Sequence, residues 1–240
     1  MTRGPLKQSA LKRRTTMTRW AAAIALPVLL LSAAARADVS MTKHNLSITG
    51  PGPIRAVAEP RICKFCHTPH TAQPASPLWN RRDSGRLYVK YWSPTLDAYG
   101  PGAAPPVQGS SRLCLGCHDG TVALGDVAQG GPIRMRPGAD RVAHRPDGPG
   151  FSGTDFSGSH PISFRVTQAL IARNNAKGEE LPLKPLAAMR SDPDVKLDKQ
   201  GRIQCTTCHD PHKDASRERS GAPFWRKPTW EGVCLVCHEE

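Results

Sequence analysis

Four short stretches of this sequence carry residue types that could do chemistry, at a fixed spacing. They are Cys63-Lys-Phe-Cys66-His67, Cys114-Leu-Gly-Cys117-His118, Cys205-Thr-Thr-Cys208-His209 and Cys234-Leu-Val-Cys237-His238. Each places two thiols three residues apart with an imidazole directly after the second, and together they use all eight cysteines. Cys-x-x-Cys-His is the attachment pattern of c-type haem: the thiols bond to the porphyrin and the adjacent histidine takes one axial position on the iron. The spacing predicts four covalently attached haem c groups, with Cys63, Cys66, Cys114, Cys117, Cys205, Cys208, Cys234 and Cys237 as attachment residues. It makes His67, His118, His209 and His238 the proximal iron ligands.

Two other uses of paired cysteines compete with this reading. Eight cysteines in an exported chain could form four disulfides, and Cys-x-x-Cys pairs could hold zinc. Neither requires a histidine after every second cysteine. Histidine is 9 of 240 residues, so four such placements would arise by chance at odds of about one in several hundred thousand.

The elements that must position these groups are sparse. Gly and Pro number 21 and 23, and aromatics are 5% of the chain. A polypeptide so rich in turn residues buries little apolar surface of its own, and four porphyrins would supply the missing core. The predicted fold is mostly irregular with short α-helices and little sheet, a haem-stapled tetrahaem cytochrome c built from two two-haem modules. The modules are 61–118 and 203–238, separated by an insertion over 119–202. They repeat each other: Cys205-Thr-Thr-Cys-His-Asp-Pro-His212 copies Cys63-Lys-Phe-Cys-His-Thr-Pro-His70, and Pro223-Phe-Trp225 echoes Pro77-Leu-Trp79. Within the insertion, Val166, Ala169, Leu170 and Ala172 predict one ordinary helix over 166–176. Residues 38–60, 120–158 and 181–200 read as loop. Trp79, Tyr88, Tyr91 and Trp92 read as packing residues.

Residues 1–37 read as an export signal ahead of the domain 38–240. A basic start (Lys12, Arg13, Arg14, Arg19) precedes an apolar run over 20–31 too short for a comfortable span, then Ala35-Arg-Ala37. Met17 could equally start the signal, and an uncleaved anchor is the alternative. Export to the periplasm or beyond suits c-type haem, with no membrane span left after cleavage. The formal charge of +13 looks like a nucleic-acid signal, but 1–37 holds seven basic residues and no acidic one, leaving +6. Eight propionates and four ferric cores bring the oxidised protein to about +2. Nucleic acid is therefore not an expected partner.

Five histidines remain for the other face of each iron: His44, His70, His144, His160 and His212. The only methionines after residue 37 are Met41, Met135 and Met189, so bis-histidine ligation at all four irons is the economical reading, with low potentials. His70 and His212 stand three residues after a proximal histidine, on the same side of a turn. Axial ligands approach from opposite faces, so each must serve a haem other than its local one, unless it merely hydrogen-bonds a propionate. His160 and His44 complete the set. His144 is left over, set apart only by its charged, loop-like surroundings.

With these residues the chain resembles the multihaem cytochromes of metal-respiring bacteria that double the Cys-x-x-Cys-His motif. The matching stretches include His44-Asn-Leu-Ser47, Phe65-Cys-His-Thr-Pro-His70, Pro77-Leu-Trp-Asn80, Cys114-Leu-Gly-Cys-His-Asp-Gly-Thr121, Ser159-His-Pro-Ile-Ser163 and the third motif through His212. Within that family it looks most like the tetrahaem cytochromes that polymerise into extracellular nanowires. The resemblance implies bis-histidine haems, distal roles for His44, His70, His160 and His212, and electron transfer. It further implies redox partner proteins or extracellular acceptors, and a homopolymer. The 133–145 stretch has no counterpart in the resemblance.

The expected function is electron relay by a carrier, not an enzyme. A soluble periplasmic shuttle or a subunit of a redox complex is the alternative, and a haem reductase with an open iron site is the reading from another class. The chain ends two residues after His238, which predicts an edge position for that site. His44, on a Gly/Pro-rich arm, is then the first candidate for a ligand passed to a neighbouring molecule. Ligation within its own chain is the alternative.

Overall fold

The computed structural model describes Met1 and residues 38–72, 78–142, 153–178, 181–213 and 224–239. The export signal beyond Met1, His144, Pro77 and Pro223 lie outside the described residues. The chain divides into two units, Met1–Ala37 and Asp38–Glu240. Among the described residues no helix is long and apolar enough to cross a membrane.

Regular structure in the second unit is scant. Among the described residues there are five helices, α1 Gly109–His118, α2 Gln168–Ala176, α3 Leu186–Ser191, α4 Cys205–Cys208 and α5 Trp230–Cys234. Short 3-10 turns cover Asp38–Met41 and Ile62–Phe65. Two-residue strands β1 Val89–Lys90 and β2 Asp155–Phe156 pair in parallel, with Val89 opposite Asp155 and Lys90 opposite Phe156. Helix α2 begins where Thr167 caps it, its Oγ1 accepting from Leu170 N at 3.1 Å. Its inward side differs from the sequence reading. Val166, Leu170 and Ile171 are buried, whereas Ala169 and Ala172 are exposed. Larger side chains won the inward positions because they bury more apolar surface.

Helix α3 corrects the loop reading of 181–200. Pro185 at φ −55° sets the first turn, and Met189, 2% exposed, anchors the helix. Met189 joins Tyr99, Phe164, Val166, Leu170, Ile171 and Ile203 in the largest core cluster. Two smaller clusters sit apart: Ala56, Phe65, Val127 and Ile133 behind the first motif, and Val107, Leu115 and Phe156 behind the second.

A buried polar network fastens α1 to α4, and so the second motif to the third. Gln204 Oε1 accepts from Ser111 Oγ at 2.6 Å and from Ser163 Oγ at 3.2 Å, while Gln204 Nε2 donates to Asp198 at 2.8 Å. Ser111 Oγ in turn accepts from Cys205 N at 2.9 Å. Removing one partner from such a network costs about 1–3 kcal/mol, the penalty of a stranded buried group. Gly109 opens α1 at φ +57°, and a Cβ there would stand 2.9 Å from Gln204 Nε2. Only glycine allows both that backbone and that approach.

Candidate functional site

Each Cys-x-x-Cys-His stretch sits on a single turn that gathers its three side chains. In three of them the histidine N–H donates to the carbonyl of the first cysteine four residues back: His67 to Cys63 at 2.7 Å, His209 to Cys205 at 3.0 Å and His238 to Cys234 at 3.0 Å. His118 closes helix α1 one residue after Cys117. All eight cysteines are free thiols.

A short antiparallel crossing then pins the histidine, and it repeats between modules. In the first, Thr68 N donates to Leu78 O at 2.7 Å and Asn80 N to Cys66 O at 2.8 Å. In the second, Asp210 N donates to Phe224 O at 2.8 Å and Arg226 N to Cys208 O at 2.9 Å. Leu78 and Phe224 share the left-handed region, at φ 63° and 68°, a strain of about 1–3 kcal/mol each. The conformation turns Trp79 and Trp225 onto the proximal rings. Trp79 meets His67 edge-on at 5.8 Å, and Trp225 stacks on His209 at 4.4 Å. The fourth site uses the insertion instead. Lys184 N donates to Cys237 O at 2.8 Å and Glu239 N to Pro182 O at 2.9 Å, so residues 182–184 run alongside a motif that the sequence left at an edge.

The histidines meet in pairs. His67 and His212 lie parallel, ring centroids 6.1 Å apart and planes 16° apart. His44 and His118 stand 6.0 Å apart at 75°. His160 lies close enough to His238 to feel its charge. His70 is exposed, its carbonyl accepting from Thr68 Oγ1 at 2.9 Å. His44 thus lies beside His118 of its own chain. Its ring is wedged against Phe224 at 4.3 Å.

Three ring nitrogens are committed in the same sense. Nδ1 of His44 is 3.1 Å from Pro211 O, that of His160 is 2.9 Å from Pro161 O, and that of His238 is 3.3 Å from Leu181 O. A carbonyl only accepts, so Nδ1 carries the proton and Nε2 keeps its lone pair. Charge agrees with that. Burial lowers His118 to about 4, with His44 and His209 adding to the effect. Burial also lowers His44, His67 and His160, opposed by the carbonyls of Pro211, Leu78 and Pro161. Neutral imidazole is the form that binds metal.

The thiols of successive motifs lie near one another. Cys66 neighbours Cys117, Cys114 shares a hydrogen bond with Cys205, and Cys208 neighbours Cys237. Burial first, then these neighbours, pushes Cys66 and Cys208 up to about 12, and burial followed by Asp192 pushes Cys237 to about 11. Among the described residues no group of three or more His, Cys, Asp or Glu side chains could hold a metal ion by itself. What the chain offers is a two-sided donor set. Two metal–imidazole bonds of about 2 Å plus the half-widths of two rings separate centroids by about 6 Å, the spacing seen at His67–His212 and His44–His118. A planar macrocycle with one iron, bonded through the paired thiols, fits that set.

Several residues that shape these sites escaped the sequence reading. Asn80, fully buried, ties Lys64 O to Gln129 N, and Arg81, 1% exposed, binds three carbonyls. The one signal for the former was its place after Leu78-Trp79, matching Arg226 after Phe224-Trp225. Comparison with protein-family models and with curated proteins gave no match.

Proposed function

We propose that the chain is a tetrahaem c-type cytochrome that relays electrons, exported to the periplasm or beyond. The single observation that carries this is the facing of His212 on His67 and of His44 on His118 at 6.0–6.1 Å, each pair including a histidine that follows a Cys-x-x-Cys turn. Haem, when bound, supplies reversible one-electron chemistry at its iron. The chain's own residues do the rest. The paired thiols would anchor the group, and His67, His118, His209 and His238 would each supply one imidazole to its iron. On the opposite side His212 serves the first site, His44 the second and His160 the fourth, leaving His70 for the third.

Under this assignment His212 and His70 cross between modules, and the two motifs lock one another. The chain has histidines enough to supply two imidazoles to each iron, which would leave none open for a substrate and favours a carrier over a reductase. Redox proteins or extracellular acceptors are the partners.

Low-temperature electron paramagnetic resonance tests the reading. Four low-spin ferric haems per chain are expected, with no carbon monoxide uptake after reduction. A high-spin signal of one-haem intensity with stoichiometric carbon monoxide binding would move the chain to the reductase class.

A further inference from the structure

Arg81 is the one arginine among the largest fully buried side chains of the described residues, and among those residues it forms no ion pair. Its Nη1 donates to Leu124 O at 2.9 Å, and its Nη2 to Ala123 O at 3.0 Å and Gly116 O at 3.3 Å. Its Nε is buried without a partner among the described residues. Its backbone follows Asn80, whose N–H is bonded to Cys66 O, while Gly116 lies between Cys114 and Cys117. The side chain therefore starts against the first motif and ends inside the second.

Resting on the haem assignment above, we infer that Arg81 raises the reduction potentials of the haems of the first and second sites, with Asp119 offsetting part of the rise at the second, and holds the first above the third and fourth. A guanidinium cannot lose its proton in a protein, so its charge is permanent. Three neutral carbonyls solvate that charge without cancelling it, and burial leaves little water to screen it. Reduction of a haem adds one negative charge nearby, which the cation favours.

Among the described residues the other sites carry no comparable buried charge. Beside the second, buried Asp119 opposes Arg81: it accepts from Thr121 N and Oγ1 at 2.8 Å and from Tyr88 at 2.9 Å, all neutral donors. At the third, Arg226 is 24% exposed and lies 3.5 Å from Asp210. At the fourth, Lys184 Nζ donates to Leu235 O at 2.7 Å, but Glu231 opens α5 and Asp192 lies nearby, bonded to Lys227 at 2.8 Å. Beside the first site Arg61 and Lys64 share the single carboxylate of Glu59, so among the described residues fixed positive charge is greater at the first site than at the fourth, and electrons entering at the fourth would run downhill to the first.

The test is a haem-resolved redox titration of native protein, Arg81→Met and Arg81→Lys, each first shown to hold four haems. In native protein the first-site haem is expected to reduce before those of the third and fourth sites. In Arg81→Met its reduction equilibrium constant falls about tenfold, which is about 59 mV for one electron, while Arg81→Lys stays within about threefold of native. An unchanged first-site potential in Arg81→Met, or an equal fall in Arg81→Lys, would overturn the inference and leave the haem assignment standing. Should Arg81→Met fail to assemble, the native titration decides alone: a first-site haem reducing after the third or fourth rejects it. A chain without haem would reject the functional reading itself.

Discussion

His212→Ala is expected to convert one haem per chain to a five-coordinate, high-spin state that binds carbon monoxide, and that haem is the one on Cys63 and Cys66. The sequence neighbour of His212 is the third motif, ending at His209, yet its ring lies parallel to His67 at 6.1 Å. Alanine removes a ligand and offers no substitute donor. The effect is large because an iron–nitrogen bond is lost outright, not weakened. The rest of the third motif is held by bonds that do not involve His212, namely Arg226 N to Cys208 O, Asp210 N to Phe224 O and the stacked Trp225. Haem-resolved NMR of the variant reads which site changed. A change confined to the haem on Cys205 and Cys208 would refute the crossed ligation.

The second large effect concerns folding. Made without haem attachment, residues 38–240 are expected to show no cooperative thermal transition. The three core clusters hold seven, four and three buried residues, scattered along a chain with 44 Gly and Pro residues counted over its whole length. Clusters that small do not offset the conformational entropy of so many ordered residues. Between them lie the turns that carry the thiols, bonded at one or two points each. Calorimetry of haem-free and haem-loaded protein gives the comparison. A haem-free chain melting cooperatively near the loaded one would show that the polypeptide holds its own fold.

What could be read from the sequence was what is local. The Cys-x-x-Cys-His turns need no tertiary knowledge, because three side chains on one turn are gathered by i to i−4 bonds such as His67 N to Cys63 O. Helix α2 was visible in its periodicity, although the inward side turned out to be Leu170 and Ile171 without the alanines. Helix α3 was hidden because its six residues carry one buried anchor, Met189, and too short a pattern to show a period. The haem reading of the motif set the expectation that His212 serves a site other than its own. Which ring it would meet depends on the path of the chain through the 119–202 insertion, and no local pattern encodes that path. Arg81 was invisible for a related reason. In Arg81-Arg82-Asp83 it looks like any solvated charge, and only the packing of Gly116, Ala123 and Leu124 around it makes it a buried cation.

Intact mass spectrometry of the exported protein after acid–acetone extraction tests the central claim most directly. The account predicts a polypeptide mass plus four haem masses that survive extraction, one on each of Cys63/Cys66, Cys114/Cys117, Cys205/Cys208 and Cys234/Cys237. A mass carrying three or fewer haems, four disulfides or bound zinc would contradict it.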